Sequence, residues 1–312
     1  MKKKLNTYGV MFHYFHDNKQ FKKSQGSLSI KDLKKIIKKI GIRNIKNPAD
    51  FIFNLKKKNR KKNICLTFDD SLKCQLKVAL PLLEKLKIKA FFFVTTSIFT
   101  KTPNLLEIHR FFREKFFKNN EIFYEEFYKF LKKSTELNQF LKKKKFKIEK
   151  IQKMYPFYTF SDVQFRIVRD SYLSRRKYDS IMKSMFRKKK FNYKKKIKDL
   201  YFDKKDLIKI ANKGHFIGLH SHTHPNTIAN LNYKKQHKEF TLNKSIIEKI
   251  TKKKVVSASF PRGDYNYNTL RIFKKINLSV AFKDNPMSKN IAKNFENFEI
   301  SRKNHHQVFE GN

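Results

Sequence analysis

Three short stretches of this 312-residue chain hold residue types that hydrolytic chemistry uses. In the first, Asp69 and Asp70 close the apolar run NICLTF (63–68). In an extended chain neighbouring side chains point to opposite sides, so two adjacent carboxylates at a strand end can take different roles, one on a metal and one free. The plain structural alternative is an Asp capping the next helix. In the second, GLHSHTHPN, His220, His222 and His224 alternate, three of the chain's ten histidines within five residues. Extended, all three share a face; coiled into a helix, His220 and His224 do. Either way His220 and His224 can converge on one ion, whereas a polar turn rich in histidine is the plain alternative. Two imidazoles and one carboxylate, with a position open for water, form a common catalytic zinc site, which brings the pKa of water down toward ~7. In the third, SFPRGDYNYNT (259–269), Pro261 and Gly263 shape a tight turn around Arg262. Such a turn can aim backbone N–H groups at a developing oxyanion, each worth about 3 kcal/mol, or can be an ordinary strand-to-helix loop.

Positioning such groups requires strands that end at one place. YGVMFHYF (8–15), NICLTF (63–68), IKAFFFVTT (88–96), HFIGLHS (215–221), VVSASFP (255–261) and LSVAF (278–282) read as strands. Between them, 29–41, 71–87, 203–213, 233–250 and 267–276 read as helices. Ser29 with Asp32 approximates a capping box, Leu33, Ile36, Ile37 and Ile40 supply the apolar stripe, and Asp203 opens its helix. This alternation predicts a parallel sheet or barrel with its site at the carboxyl ends of the strands. Residues from about 100 to 200 read instead as a helical insertion, with lysine runs at 142–147 and 188–198. Phe111, Phe112, Phe116 and Phe117 there are spaced for core packing rather than for stacking on bases.

The formal charge is +48, from 74 Lys and Arg against 26 Asp and Glu. The excess is nearly all lysine and comes with abundant Phe, Ile and Asn and no Trp, as an AT-rich coding sequence favours. The charge therefore names no specific nucleic-acid partner, although it suits peripheral contact with an anionic membrane or an acidic glycan. Cys65 and Cys74 form no CxxC pair, and the apolar run Tyr8–Phe15 is short and broken by His13. No window approaches the ~18 apolar residues of a membrane span. A reduced, cytoplasmic protein is the expectation.

The three junctions together resemble the NodB-type polysaccharide deacetylases, carbohydrate esterase family 4. The resemblance rests on Thr67-Phe68-Asp69-Asp70, His220-Ser221-His222-Thr223-His224-Pro225 and Phe260-Pro261-Arg262-Gly263, and covers roughly residues 5–100 and 200–304. It implies one catalytic domain over 1–312, a distorted (β/α)7-type barrel (α/β class) carrying the insertion. It also implies a metal-dependent hydrolase that removes N-acetyl, less often O-acetyl, groups from a sugar in surface-glycan assembly. Carried over, Asp70, His220 and His224 are ligands to one divalent ion, for which two imidazoles and a carboxylate suit zinc. Asp69 is the general base, and the Arg262 backbone N–H helps hold the oxyanion. Where the family often places an arginine that holds the base, this chain has Ser259, which leaves Arg262 as the candidate for that role from a new position. The late histidine that serves as the acid has no clear counterpart in ISRKNHHQ, where His305 and His306 stand in other surroundings. VMFHYFHD (10–17) resembles the early histidine strand of circularly permuted members, which makes His13 the candidate acid, with His16 behind it. His222 falls on the variable position of the motif. Two other readings fit the same residues: a C–N hydrolase acting on a small amide or cyclic imide, and a non-catalytic basic module that binds anionic polymer.

Overall fold

In the computed structural model, which describes residues 7–57, 62–132, 134–154, 158–284 and 290–309, every apolar run read as a strand contains one. Most strands are shorter than their runs, and in 8–15, 88–96, 215–221 and 255–261 the last residues leave the ladder to build loops. The strands are β1 (Thr7–Phe12), β2 (Asn63–Phe68), β3 (Phe91–Val94), β4 (Phe216–Leu219), β5 (Ser257–Ser259), β6 (Val280–Lys283) and β7 (Ile300–Asn304). All pair in parallel with their sequence neighbours, and β7 returns to β1 with Gly9 opposite Arg302. The result is a closed seven-stranded barrel with helices around it, and closure leaves no strand edge unpaired.

Its interior is filled by rings. Phe282 on β6 lies 5.3 Å from Phe91 and 5.5 Å from Phe93 on β3, strands that are not neighbours, so these contacts cross the lumen. The helix Pro48–Lys56, which the sequence reading did not assign, brings Phe51 to 6.1 Å from Phe91 and 5.7 Å from Phe282. Asn63, at the start of β2, donates from Nδ2 to the Phe51 carbonyl (3.1 Å), so this helix plugs the amino end of the barrel. Gly218 is required inside: a Cβ there would sit 2.5 Å from the Phe93 ring and 2.6 Å from Ser257 Oγ. The expected caps are present, a Ser29–Asp32 capping box on Ile30–Ile40 and Asp203 on Lys204–Asn212. β7 was not read as a strand from the sequence.

Residues 24–26 and 105–200 form a second compact unit, whose regular elements among the described residues are all helices. Phe112, Phe123, Phe127, Phe165 and Phe186 are buried in it, with Phe112 against Phe186 at 4.7 Å and Phe123 against Phe165 at 5.4 Å. Of the four phenylalanines spaced for packing, Phe112 and Phe117 are core residues, while Phe111 and Phe116 are half-buried against Phe191.

Candidate active site

The carboxyl ends of the strands converge on two adjacent carboxylates. After β2 the chain turns sharply: Asp70 (φ 73°) and Ser71 (φ 60°) both take left-handed backbone conformations, which cost a non-glycine residue about 1–3 kcal/mol each. Two contacts secure the turn. The Asp69 N–H donates to the Phe12 carbonyl at the end of β1 (3.1 Å), and Ser71 Oγ accepts from the Thr95 N–H after β3 (3.0 Å). Gln75 Nε2 donates to the carbonyls of both Asp69 (2.6 Å) and His13 (3.0 Å), tying the ends of β2 and β1 together. Neighbouring aspartates thereby serve separate partners.

Asp70 faces two histidines. Its Oδ1 lies 3.3 Å from His220 Nε2 and 3.4 Å from His224 Nε2, and the donor atoms of the three residues lie within 4.8 Å of one another. Ligands about 2.1 Å from a tetrahedral zinc stand ~3.4 Å apart, so the set fits a divalent cation. The strand end also sets the His220 tautomer. His220 Nδ1 lies 3.1 Å from the Ser259 carbonyl, which can only accept, so Nδ1 carries a proton and Nε2, facing Asp70, is the nitrogen left to ligate a cation. Ser259 Oγ, 2.7 Å from the same Nδ1, lies 3.4 Å from Asp69 Oδ1. The His220 N–H donates to Asn243 Oδ1 and the Val94 carbonyl, while the His224 N–H donates to Ser221 Oγ in a turn where Ser221 and His224 both have positive φ.

Charge follows this geometry. Burial raises Asp70, but hydrogen bonds from His220 and His224 outweigh it and hold the carboxyl well below its usual range. Burial lowers His220, yet Asp69 and Asp70 carry it above an ordinary histidine. His224 stays below, with burial dominant over Asp70 and with His220 and Arg262 adding to the depression.

Asp69 is held by a residue that the sequence reading passed over. Arg302, on β7 and fully buried, donates from Nη1 to both Asp69 oxygens (2.9 and 2.8 Å) and from Nη2 to Asp284 Oδ1 (2.9 Å). Burial alone would lower this guanidinium, but the two carboxylates raise it. The expectation that Arg262 fills the role is corrected: the guanidinium arrives from β7, into space left by Gly9, where a Cβ would stand 3.2 Å from Arg302 Cγ. Arg262 lies in the turn Pro261–Gly263 at φ 59°, and the turn's Gly263 abuts Asp284, where a Cβ on residue 263 would meet Asp284 Cβ at 2.6 Å. A signal for Arg302 existed, because only twelve of the 74 basic residues are arginine.

His13, just past β1, places Nε2 3.9 Å from Asp69 Oδ2 and 3.8 Å from Asp70 Oδ2, with its side chain 29% exposed. The other candidates are not brought to the carboxylates. His16 is buried with Nδ1 2.9 Å from Ser27 Oγ. His305 and His306 open the helix that follows β7, and His305 is depressed to about 4 by burial and by the charges of His306 and His13. His222 turns toward β3, with Nδ1 2.9 Å from Thr96 Oγ1, a hydroxyl that also accepts from Asn243 Nδ2 (3.0 Å). It is outside the convergent group Asp70, His220 and His224.

The family model described as polysaccharide deacetylase matches residues 56–110 and 171–281, more than half of the chain. Solved structures give the same fold. The Streptococcus pyogenes deacetylase PplD, in complex with acetate, is 14% identical with a TM-score of 0.55, over 97% of this chain and 96% of that one. IcaB from Ammonifex degensii is 11% identical with a TM-score of 0.54, over 95% and 91%. A de-N-acetylase from Aggregatibacter actinomycetemcomitans is 11% identical with a TM-score of 0.54, over 95% and 93%. No curated protein matches the chain.

Proposed function

The chain belongs to the polysaccharide deacetylase family, hydrolases that act on carbon–nitrogen bonds, and on that premise we propose that it removes N-acetyl groups from a surface glycan with one divalent cation, zinc by its donor set. One observation carries this reading: a guanidinium-held carboxylate, Asp69, beside the convergent Asp70, His220 and His224. The three convergent residues would hold the cation, which supplies Lewis acidity that polarises a carbonyl and acidifies water.

The remaining work falls to the chain. Asp69, oriented by Arg302, accepts the proton of the attacking water as its oxygen bonds to the acetyl carbon. The Arg262 backbone N–H, in its left-handed turn, donates to the oxygen that gains charge. His13 reaches both carboxylates from the exposed side and protonates the departing amine as the C–N bond breaks. The products are an amino sugar and acetate, the ion bound in the S. pyogenes relative.

Acetate release from chitooligosaccharides and bacterial surface glycans, measured on metal-depleted and metal-restored protein, tests the reading. Activity that returns with the metal is expected. Asp69→Asn should lower turnover about 10²–10⁴-fold while stoichiometric metal binding persists. Loss of the metal in that variant would reverse the two aspartate roles, and metal binding without acetate release from any glycan would sink the reaction assignment.

A further inference from the structure

Phe146 is the most exposed large hydrophobic side chain among the described residues, at 77%. It lies on the helix Thr135–Met154, whose inner face is fixed by Leu137 and Ile148, each 1% exposed, with Ile148 packed on Val163 and Ile167. At about 100° per residue, Phe146 stands about 180° from Leu137 and about 160° from Ile148, on the opposite face. Its neighbours there, one turn before and after, are Lys142, Lys143 and Lys150, all exposed, and exposed Lys145 and Lys147 flank it. The helix carries seven lysines against two glutamates, Glu136 and Glu149.

A lone aromatic ring in a field of exposed amines is the arrangement of helices that lie in a lipid headgroup layer, with amines on phosphates and the ring at the acyl boundary. Single-stranded nucleic acid is bound by several aromatics that stack successive bases, and this face offers one. Among the described residues no helix is long and apolar enough to cross a membrane, so contact through this helix lies along the surface. We propose that the helix Thr135–Met154 docks on an anionic phospholipid surface, with Phe146 entering the acyl boundary and Lys142, Lys143 and Lys150 engaging the headgroups. Charge complementarity favours this occupant, and neither the barrel nor its chemistry is needed for it.

The full chain supplies its own probe, because it contains no tryptophan. In Phe146→Trp, vesicles containing phosphatidylglycerol should shift the emission to the blue, and lipids brominated in their acyl chains should quench it. Pure phosphatidylcholine vesicles should do neither. In vesicle sedimentation Phe146→Ser should weaken binding roughly tenfold, about the loss of one apolar anchor. Replacing Lys142, Lys143 and Lys150 by Gln should weaken it by roughly fivefold per lysine and flatten its salt dependence. Unquenched emission with brominated lipid, or equal vesicle affinity of Phe146→Ser and the parent chain, would overturn the proposal. Phe146-dependent binding to single-stranded RNA without vesicle binding would assign the face to nucleic acid instead.

Discussion

At the scale of single residues, the site depends on a charge that is costly to bury. Arg302 and Asp69 are each almost completely shielded from water, and Asp284 completes the set. Removing one member of such a buried group leaves its partners charged and unpaired, at about 3–5 kcal/mol. Arg302→Met should therefore lower stability by that amount in urea unfolding, and a double variant with Asp69→Asn should recover part of it. Strict additivity of the two losses would mean that the pair is not coupled. The convergent Asp70, His220 and His224 were legible because their side chains are chemically distinctive and stand at or just beyond the ends of the apolar runs of β2 and β4. Arg302 was not, because ISRKN lacks the apolar density of a buried strand and the scarcity of arginine does not say which carboxylate it meets. Its meaning comes from a partner 233 positions away.

At the scale of elements, close approach between strands matters more than propensity. β3 and β4 run together with Phe93 beside Gly218, and the ring occupies the space a side chain on residue 218 would need. Gly218→Ala should cost about 1–3 kcal/mol in urea unfolding, because the backbone around the Phe93 ring must shift. A neutral result would mean that the barrel gives way there without cost. Periodicity exposed the barrel strands and helices where one face is buried. It passed over the helix Pro48–Lys56, whose nine residues place Phe51 inside the barrel while Phe53 stays 54% exposed, so no full stripe forms.

At the scale of the whole molecule, acid should loosen the fold through the amino end of the barrel. The Ala90 N–H donates to His215 Nδ1 (3.1 Å), so the neutral ring presents Nε2–H to Glu84 Oε1 (2.9 Å). Burial lowers His215, and although burial also pushes Glu84 up, hydrogen bonds from Lys213, His215 and Lys89 bring that carboxyl down to about 2. Both groups therefore bind protons less readily folded than unfolded. Their stabilisation is complete above about pH 6.5, weakens as His215 is forced to charge, and falls again from about 4.5 toward 2. Melting temperature should decline through that range, and Glu84→Gln should flatten the lower limb by about 1 kcal/mol after screening by water. A parent curve that is flat from pH 7 to 3 would rule the mechanism out. Barrel closure has a further consequence, for synthesis. A ribosome releases His13 and Asp69 long before Arg302, and β1 can pair with β7 only once both exist. Until then Asp69 must stay wet, because no guanidinium is present to let it leave water. β7 thus delivers both the seam of the barrel and the counter-ion of the buried Asp69 carboxylate in one event.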